Sequence, residues 1–189
     1  MRVIGGSARG RKLTAFRGDN IRPTTDRVRE ALFSILISRL GSLDGLTVLD
    51  LFAGSGALGI EALSRGAAST CFVDRARQSI ATIRRNLELC HLIDRAELLQ
   101  MDSQAVLSGV LRGRTFDLIF LDPPYGKQAI AGLLEPIGYG QLLHKDGLIV
   151  VESGGQEEIP ATTADLQCLD QRRYASTLLS FFNRINHES

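Results

Sequence analysis

The tetrapeptide Asp122-Pro123-Pro124-Tyr125 combines residue types that can hold a planar amine. It follows the apolar run 116–121, which predicts a buried strand. Proline has a fixed φ and donates no hydrogen bond, so the carbonyl groups of Asp122 and Pro123 are held in fixed directions. Asp122, Pro123 and Tyr125 therefore predict a catalytic site in which a planar substrate stacks on the ring of Tyr125 and points an exocyclic amino group at two oxygens. A Pro-rich turn with an acidic cap is the alternative that this segment alone leaves open.

A glycine-rich segment, residues 50–59, predicts a nucleotide-binding turn. It lies between a strand-like run and a helical pattern, and Gly54, Gly56 and Gly59 fit the G-x-G-x-x-G pattern in this context. Such glycines permit a tight turn and let a ligand approach the backbone closely. Asp74 comes directly after the next apolar run, where an acidic side chain accepts hydrogen bonds from ribose hydroxyls.

The charge of Asp50 narrows the choice of ligand. A nicotinamide or flavin dinucleotide also suits the glycines, but its diphosphate would meet the negative charge of Asp50 at the end of the first strand. S-adenosyl-L-methionine carries a sulfonium and an amine, and it suits this carboxylate. Asp102 and Ser103 are expected near the adenine, and a helix N-cap is the alternative for the same two residues. The expected cofactor contacts are Asp50, Phe52, Ala53, Gly54, Ser55, Gly56, Gly59, Asp74, Asp102, Ser103 and Asp122.

Helix and strand patterns alternate along the chain and favour an α/β fold with a mostly parallel, doubly wound sheet. Ligands bind outside the carboxyl ends of the strands in such a sheet, and the acidic candidates all fall there. The predicted strands are 46–49, 71–73, 96–100, 116–121 and 148–152, with an antiparallel pair at 167–174 and 177–183. The predicted helices start near Asp26 and cover 60–65, 76–90, 104–111 and 130–137.

The chain length favours one main domain with a small appendage. We place a basic N-terminal arm at residues 1–24 and the main domain at residues 25–189. Within the arm, residues 2–4 and 12–16 flank a glycine-rich stretch and predict a hairpin.

The basic residues are concentrated at the beginning of the chain. The formal net charge is +1 overall, but residues 1–30 contain eight Lys or Arg against three Asp or Glu, which gives +5 there and −4 elsewhere. A basic arm on a mildly acidic domain favours a polyanionic partner whose phosphates contact the cations. A solvated surface is the alternative for any single arginine. The candidate RNA-phosphate contacts are Arg9, Arg11, Lys12, Arg22, Arg27 and Arg29.

The cysteines, the histidines and the hydropathy of the chain indicate which metal sites, disulfides, membrane segments and catalytic histidines are not expected. Cys71, Cys90 and Cys168 form no Cys-x-x-Cys pair, so neither a disulfide framework nor a zinc site is predicted, and no metal is expected. The sequence shows no long apolar run and no secretory leader, and a reducing cytoplasm is the expected location. The three histidines fall at a helix end, in a loop and in the C-terminal tail, and none is assigned a catalytic role.

The two motifs together resemble the class I, amino-directed methyltransferases. The segment 22–33 resembles in particular the bacterial small-subunit (16S) rRNA guanine-N2 methyltransferases. Residues 4–6 and 9–13 near the start of the chain and 151–153 after the fifth predicted strand fit the same family, and the resemblance covers nearly the whole chain. It departs at Ala175, where the family is expected to have glycine.

This resemblance implies a Rossmann-like class I methyltransferase fold, with a mostly parallel seven-stranded sheet, helices on both faces and a small N-terminal hairpin and helix extension. It implies methyl transfer from S-adenosyl-L-methionine to the N2 amino group of a guanine in 16S rRNA, within the 30S ribosomal particle, and we expect a monomer. Two alternatives stay open. One is a DNA adenine-N6 or cytosine-N4 methyltransferase, although the chain leaves no room for a separate sequence-reading domain. The other is a cofactor-binding ribosome assembly factor without turnover, which the intact Asp122 and Tyr125 disfavour.

Overall fold

One mixed β-sheet forms the centre of the protein. The computed structural model describes residues 1–15, 26–123, 130–154 and 159–185. The strands in these ranges are β1 (Thr47–Leu51), β2 (Ser69–Asp74), β3 (Ala96–Gln100), β4 (Phe116–Leu121), β5 (Leu143–Gly154), β6 (Thr162–Thr163), β7 (Leu166–Tyr174) and β8 (Thr177–Arg184). Their order in the sheet is β3-β2-β1-β4-β5-β8-β7-β6. Strands β1 to β5 pair in parallel, and β8, β7 and β6 extend the sheet in antiparallel fashion.

Helices cover both faces of the sheet. They are α1 (Asp26–Leu40), α2 (Ala57–Ser64), α3 (Arg77–Cys90), α4 (Ser103–Ala105) and α5 (Ala131–Tyr139). One buried core contains side chains of α1, α2 and α3, and a second contains those of α5 and of the π-helical turn that follows α4. Successive strand residues alternate between the two cores because side chains in a strand point to opposite faces. None of the described helices is long and apolar enough to cross a membrane.

The predicted fold class is confirmed, but the predicted number of strands is wrong. The sheet has eight strands rather than seven, because the two-residue strand β6 pairs with β7 at the antiparallel edge. Two threonines give no alternating pattern long enough to predict a strand. The antiparallel pair at the end of the chain was predicted correctly.

Other boundaries differ from the predictions. Strand β5 begins at Leu143, so His144 lies in a strand and not in a loop. The helix predicted over 104–111 is the short α4 followed by the π-helical turn Val106–Val110. The predicted N-terminal hairpin is reduced to one antiparallel bridge between Arg2 and Lys12, since the glycine-rich segment between them folds into turns.

The N-terminal segment, residues 1–15, is fastened to the C-terminal half of α2. The buried carboxylate of Glu61 accepts hydrogen bonds from the backbone N–H groups of Ile4, at 2.7 Å, and Gly5, at 2.8 Å. The Ser64 hydroxyl donates to the Gly5 carbonyl at 2.6 Å. At Gly6, a Cβ would lie 1.8 Å from the Ser64 carbonyl oxygen, so the contact requires glycine there.

Candidate active site

Three residues in the left-handed conformation shape the turn between β1 and α2. Phe52, Gly54 and Gly56 have φ values of 62°, 56° and 79°, and this conformation is strained for a residue with a side chain such as Phe52. A Cβ on Gly54 would have no neighbour nearer than the Phe52 carbonyl oxygen at 3.9 Å. The backbone at Gly54 is therefore open to a ligand, just before the N-terminus of α2 with its partial positive charge.

Asp74 joins this turn to the end of β2. Its Oδ2 accepts a hydrogen bond from the Gly54 N–H at 2.9 Å, and its Oδ1 accepts one from the Ala76 N–H at 2.8 Å. A carboxylate has about four acceptor sites, so the half-buried Asp74 retains capacity for the ribose hydroxyls that the sequence predicts. The structure adds a second role, which is to hold the glycine-rich turn against β2.

Gly59 packs closely against the sheet. A Cβ on Gly59 would lie 2.3 Å from a ring carbon of Phe72 and 2.8 Å from the Thr70 methyl group, so glycine allows α2 to approach β2. The Gly59 N–H donates to Oδ2 of Asp50 at 2.9 Å. The structure thus gives Gly59 a packing role and a link to Asp50, and the predicted cofactor contact at Gly59 stays a prediction.

Three carboxylates lie at the carboxyl ends of neighbouring strands. Asp50 is next to last in β1, Asp122 follows β4, and Glu152 lies in β5. The last residue of β4 pairs with Val151, which places Asp122 beside Glu152. The order of the strands reverses between β1 and β4, and ligands of doubly wound sheets bind at such a switch point.

Burial and mutual repulsion raise the pKa values of two of these carboxyl groups. Asp50 is 2% exposed, and burial raises its pKa to about 7, although the hydrogen bond from Gly59 lowers it. Burial also raises the pKa of Asp122 well above its ordinary value, and the charges of Glu152 and Asp50 raise it further. A cation placed nearby would favour the ionised form of both groups.

Three neighbouring carboxylates favour a positively charged ligand. Among the residues that the structure describes, no group of His, Cys, Asp and Glu is arranged to hold a metal. Asp50 and Asp122 were predicted as site residues from the sequence, whereas Glu152 was assigned no role. The position of Glu152 at the end of an apolar strand run, like the positions of Asp50 and Asp122, could have identified it.

The remaining predicted site residues are only partly placed. Oδ1 of Asp102 accepts a hydrogen bond from the Gln104 N–H at 3.0 Å, so the predicted N-cap is confirmed, while the adenine contact stays a prediction. Ser103 and Pro123 are buried. The predicted stacking residue, Tyr125, lies outside the described residues.

Exposed cations form a basic surface on the N-terminal side. Arg9, Lys12 and Arg27 are exposed, and we call these three residues the arm cations. Arg9 and Arg27 line a groove of about 300 Å³ between the N-terminal segment and α1. Arg11 is also exposed, but its Nη1 donates to the Leu89 carbonyl at 2.6 Å, which ties it to α3.

The predicted phosphate contact at Arg29 is wrong. Its side chain is 0% exposed and is held inside by the carboxylates of Asp26, at 2.9 Å, and Glu61, at 3.9 Å. It also donates to the Arg2 carbonyl. Burial lowers the pKa of Arg29, and the two carboxylates oppose that effect. Arg29 is therefore a buried partner of Asp26 and Glu61 and does not face solvent. It shares Glu61 with Arg65, whose Nε lies 2.7 Å from Oε1 of Glu61. Arg22 lies outside the described residues.

Comparison with known proteins identifies the family. A family model described as "Conserved hypothetical protein 95" matches residues 1–183. The chain belongs to this family. One relative is "Putative rRNA methyltransferase YlbH" of Bacillus subtilis, 42% identical over 185 residues that cover 97% of this chain and 99% of the relative. Another is "Ribosomal RNA small subunit methyltransferase D" of Escherichia coli, 36% identical over 168 residues that cover 87% of this chain and 80% of the relative.

Solved structures share the fold of this family member. The structure titled "Putative methyltransferase yhhF from Escherichia coli" superposes with a TM-score of 0.84 over 97% of both chains at 32% identity. A more distant fold relative, titled "SMU.776, a putative methyltransferase complexed with SAH", has a TM-score of 0.67 at 23% identity and covers 86% of this chain and 50% of its own. The resemblance read from the sequence is therefore confirmed, and the Rossmann-like methyltransferase fold with it.

Proposed function

We propose that this protein transfers a methyl group from S-adenosyl-L-methionine to the exocyclic N2 amino group of a guanine in small-subunit (16S) rRNA, within the 30S particle. The observation that carries the proposal is the position of Asp122 and Pro123 at the carboxyl end of β4, across the switch point from the β1–α2 turn. Acceptors for an amine thus lie beside the place where this fold holds its ligands. Relatives named as rRNA methyltransferases support an rRNA substrate.

The described residues fit this cofactor. The open backbone at Gly54 allows close approach, Asp74 has acceptor capacity for ribose hydroxyls, and Asp50 offsets positive charge. A fold relative in complex with SAH supports the same choice. When bound, S-adenosyl-L-methionine supplies an activated methyl group whose transfer requires mainly in-line alignment with the nucleophile.

The contribution of this chain to the chemistry is to hold the amine. Guanine N2 is a weak nucleophile because its lone pair is delocalised into the ring. Hydrogen bonds from the amine to the Asp122 carboxylate and to the Pro123 carbonyl favour a more tetrahedral nitrogen with its lone pair available. The nitrogen becomes strongly acidic once it is methylated, so no dedicated general base is required.

A base in structured RNA must leave its stack to reach this pocket. The arm cations supply the charge that holds the surrounding backbone, because phosphate contacts provide most of the sequence-independent affinity for RNA. We therefore place the RNA on the side of the N-terminal segment and the target base at Asp122.

Asp122→Ala tests the proposal. Its single-turnover rate of methyl transfer to unmethylated 30S particles is expected to fall by about 100-fold or more, the effect of losing one well-placed polar group. The rate should fall far more than the affinity for S-adenosyl-L-methionine, because the acceptor for the amine is lost while Asp50 and Asp74 remain for the cofactor. Asp146→Ala is the matched control. Asp146 is exposed in the N-terminal half of β5, whereas Glu152, beside Asp122, lies in the C-terminal half, so this variant should keep the wild-type rate.

Nucleoside analysis of the labelled product identifies the substrate. N2-methylguanosine in 16S rRNA supports the proposal, whereas N6-methyladenine or N4-methylcytosine in DNA would assign the enzyme to DNA. Wild-type protein that binds cofactor and particle without methylating either nucleic acid would indicate an assembly factor. Near wild-type turnover by Asp122→Ala would refute the assigned role of Asp122.

A further inference from the structure

The side chain of Asn86, in α3, joins the N-terminal segment to the β1–α2 turn. Its Oδ1 accepts a hydrogen bond from the Thr14 N–H at 2.8 Å, and its Nδ2 donates to the Thr14 carbonyl at 2.9 Å. The same Nδ2 donates to the Ser55 carbonyl at 2.9 Å. Asn86 is 0% exposed, so a single buried amide satisfies two backbone segments that are far apart in the sequence.

The two segments that Asn86 joins are the ones that the proposed function uses. Thr14 follows Lys12, one of the arm cations, by two residues. Ser55 lies between Gly54 and Gly56 in the proposed cofactor turn. Arg11 adds a second link to the same helix through the Leu89 carbonyl at 2.6 Å. The N-terminal segment and the turn therefore share α3 as a common support.

A buried amide that loses a partner is penalised, because no water replaces the lost hydrogen bond. The β1–α2 turn is favoured in the conformation that keeps the hydrogen bond from Asn86 to Ser55. The N-terminal segment is favoured in the conformation that keeps the hydrogen bonds between Asn86 and Thr14. Because both depend on the same buried amide, each conformation consequently stabilises the other. We infer that Asn86 is a positioning residue that couples cofactor binding at the β1–α2 turn to RNA binding by the N-terminal segment. The inference rests on the proposed function, and linkage requires the coupling to be reciprocal.

The test measures a coupling factor in the full-length protein. This factor is the dissociation constant of S-adenosylhomocysteine without 30S particles, divided by the constant in the presence of saturating unmethylated 30S particles. Wild-type protein is expected to show a factor of about five or more, within the usual range of coupling between sites. Asn86→Ala is expected to bring the factor to within about twofold of one.

Ser64→Ala is the matched control. It also removes hydrogen bonds between the N-terminal segment and a helix, since the Ser64 hydroxyl donates to the Gly5 carbonyl at 2.6 Å and accepts from the Ala8 N–H at 2.9 Å. It does not touch the β1–α2 turn. A purely structural effect of loosening the segment would lower the factor in both variants, whereas the inference expects Ser64→Ala to keep the wild-type factor.

Thr14→Pro keeps the test decisive if Asn86→Ala does not fold. It removes the Thr14 N–H at an exposed position and leaves α3 and the turn unchanged. It is expected to lower the coupling factor by about twofold or more, the effect of one hydrogen bond. A wild-type factor near one, or an unchanged factor in the folded variants of Asn86 and Thr14, would overturn the inference. Wild-type protein that binds neither S-adenosylhomocysteine nor the 30S particle would instead overturn the proposed function, and the inference with it.

Discussion

Replacing Asp50 with asparagine should remove the part of the pH dependence of S-adenosyl-L-methionine binding that Asp50 contributes, while Asp122, whose pKa is also raised, stays in both proteins. Asp50 is almost fully buried, and its pKa of about 7 compares with 3.8 for an exposed aspartate. A cofactor with a positive charge binds best when Asp50 is ionised, so binding must displace the proton that Asp50 holds at lower pH. Each pH unit below the pKa costs about 1.4 kcal/mol, or tenfold in affinity.

These values give a quantitative expectation for the wild type. For a pKa of about 7, the affinity should rise about 30-fold between about pH 5.5 and about pH 8.5 and level off above the pKa. Calorimetry in buffers with different ionisation enthalpies measures the affinity and the released proton together. Asp50→Asn keeps an oxygen for the Gly59 N–H but cannot ionise, so its affinity should vary far less. Titration of the cofactor itself cancels in this comparison, because both proteins bind the same molecule.

The raised pKa of Asp50 also predicts how the stability of the protein without cofactor depends on pH. The pKa of Asp50 is raised in the folded state, so the folded protein holds a proton that the unfolded chain releases. Its contribution to stability is complete below about pH 4 and is lost as pH rises through about 7. Asp50→Asn should flatten this part of the denaturation profile. A wild-type affinity for the cofactor that is constant within about twofold over the range, or an equal slope in Asp50→Asn, would refute the reasoning.

Other perturbations test the packing and the basic surface. Gly6→Ala should lower the free energy of unfolding by about 3 kcal/mol or more, because its Cβ would lie 1.8 Å from the Ser64 carbonyl oxygen. Gly10→Ala, at φ +83° with nothing within 4 Å, should cost only about 1 kcal/mol, and equal losses in chemical denaturation would contradict the steric argument. Ala175→Gly should increase the free energy of unfolding by about 0.5–1 kcal/mol and raise the denaturation midpoint, because Ala175 has the left-handed φ of 53°. A lower midpoint would show that the conformation of Ala175 is not strained. Alanine in place of all three arm cations should flatten the slope of log affinity for 16S rRNA against log salt by about two to three, and parallel lines would assign them to a solvated surface.

The acidic residues of the site were predictable because each follows an apolar strand. Asp50, Asp74 and Asp122 were placed correctly at the carboxyl edge of the sheet, since alternation of strands and helices already implies parallel strands whose ends meet. Ala175 was also informative. Its φ of 53° is left-handed, between β7 and β8, which accounts for the glycine expected at this position.

The errors arose where a side chain depends on a partner that is distant in sequence. Arg29 was assigned to the RNA surface from its charge, although it shares a helical face with Leu32, Phe33 and Leu36, which are all buried. That spacing could have predicted the burial of Arg29. Its ion-pair partner Glu61, in another helix, could not be predicted from the sequence. Asn86 was missed for a similar reason, since an asparagine on a helix gives no indication of the backbone groups that it will satisfy.

The attachment of the N-terminal segment to α2 and α3 has a consequence for the order of folding. Synthesis runs from the N-terminus to the C-terminus, so residues 1–15 are made before the residues that they contact: Gly5 before Glu61, 56 residues away, and Arg11 before Leu89, 78 residues away. Such long-range contacts close slowly, after the local structure that they join. The basic surface is therefore completed only when the glycine-rich turn and α3 are already in place. A nascent or truncated chain displays its arginines without a finished surface, so the affinity for rRNA that we propose would develop together with the proposed cofactor site.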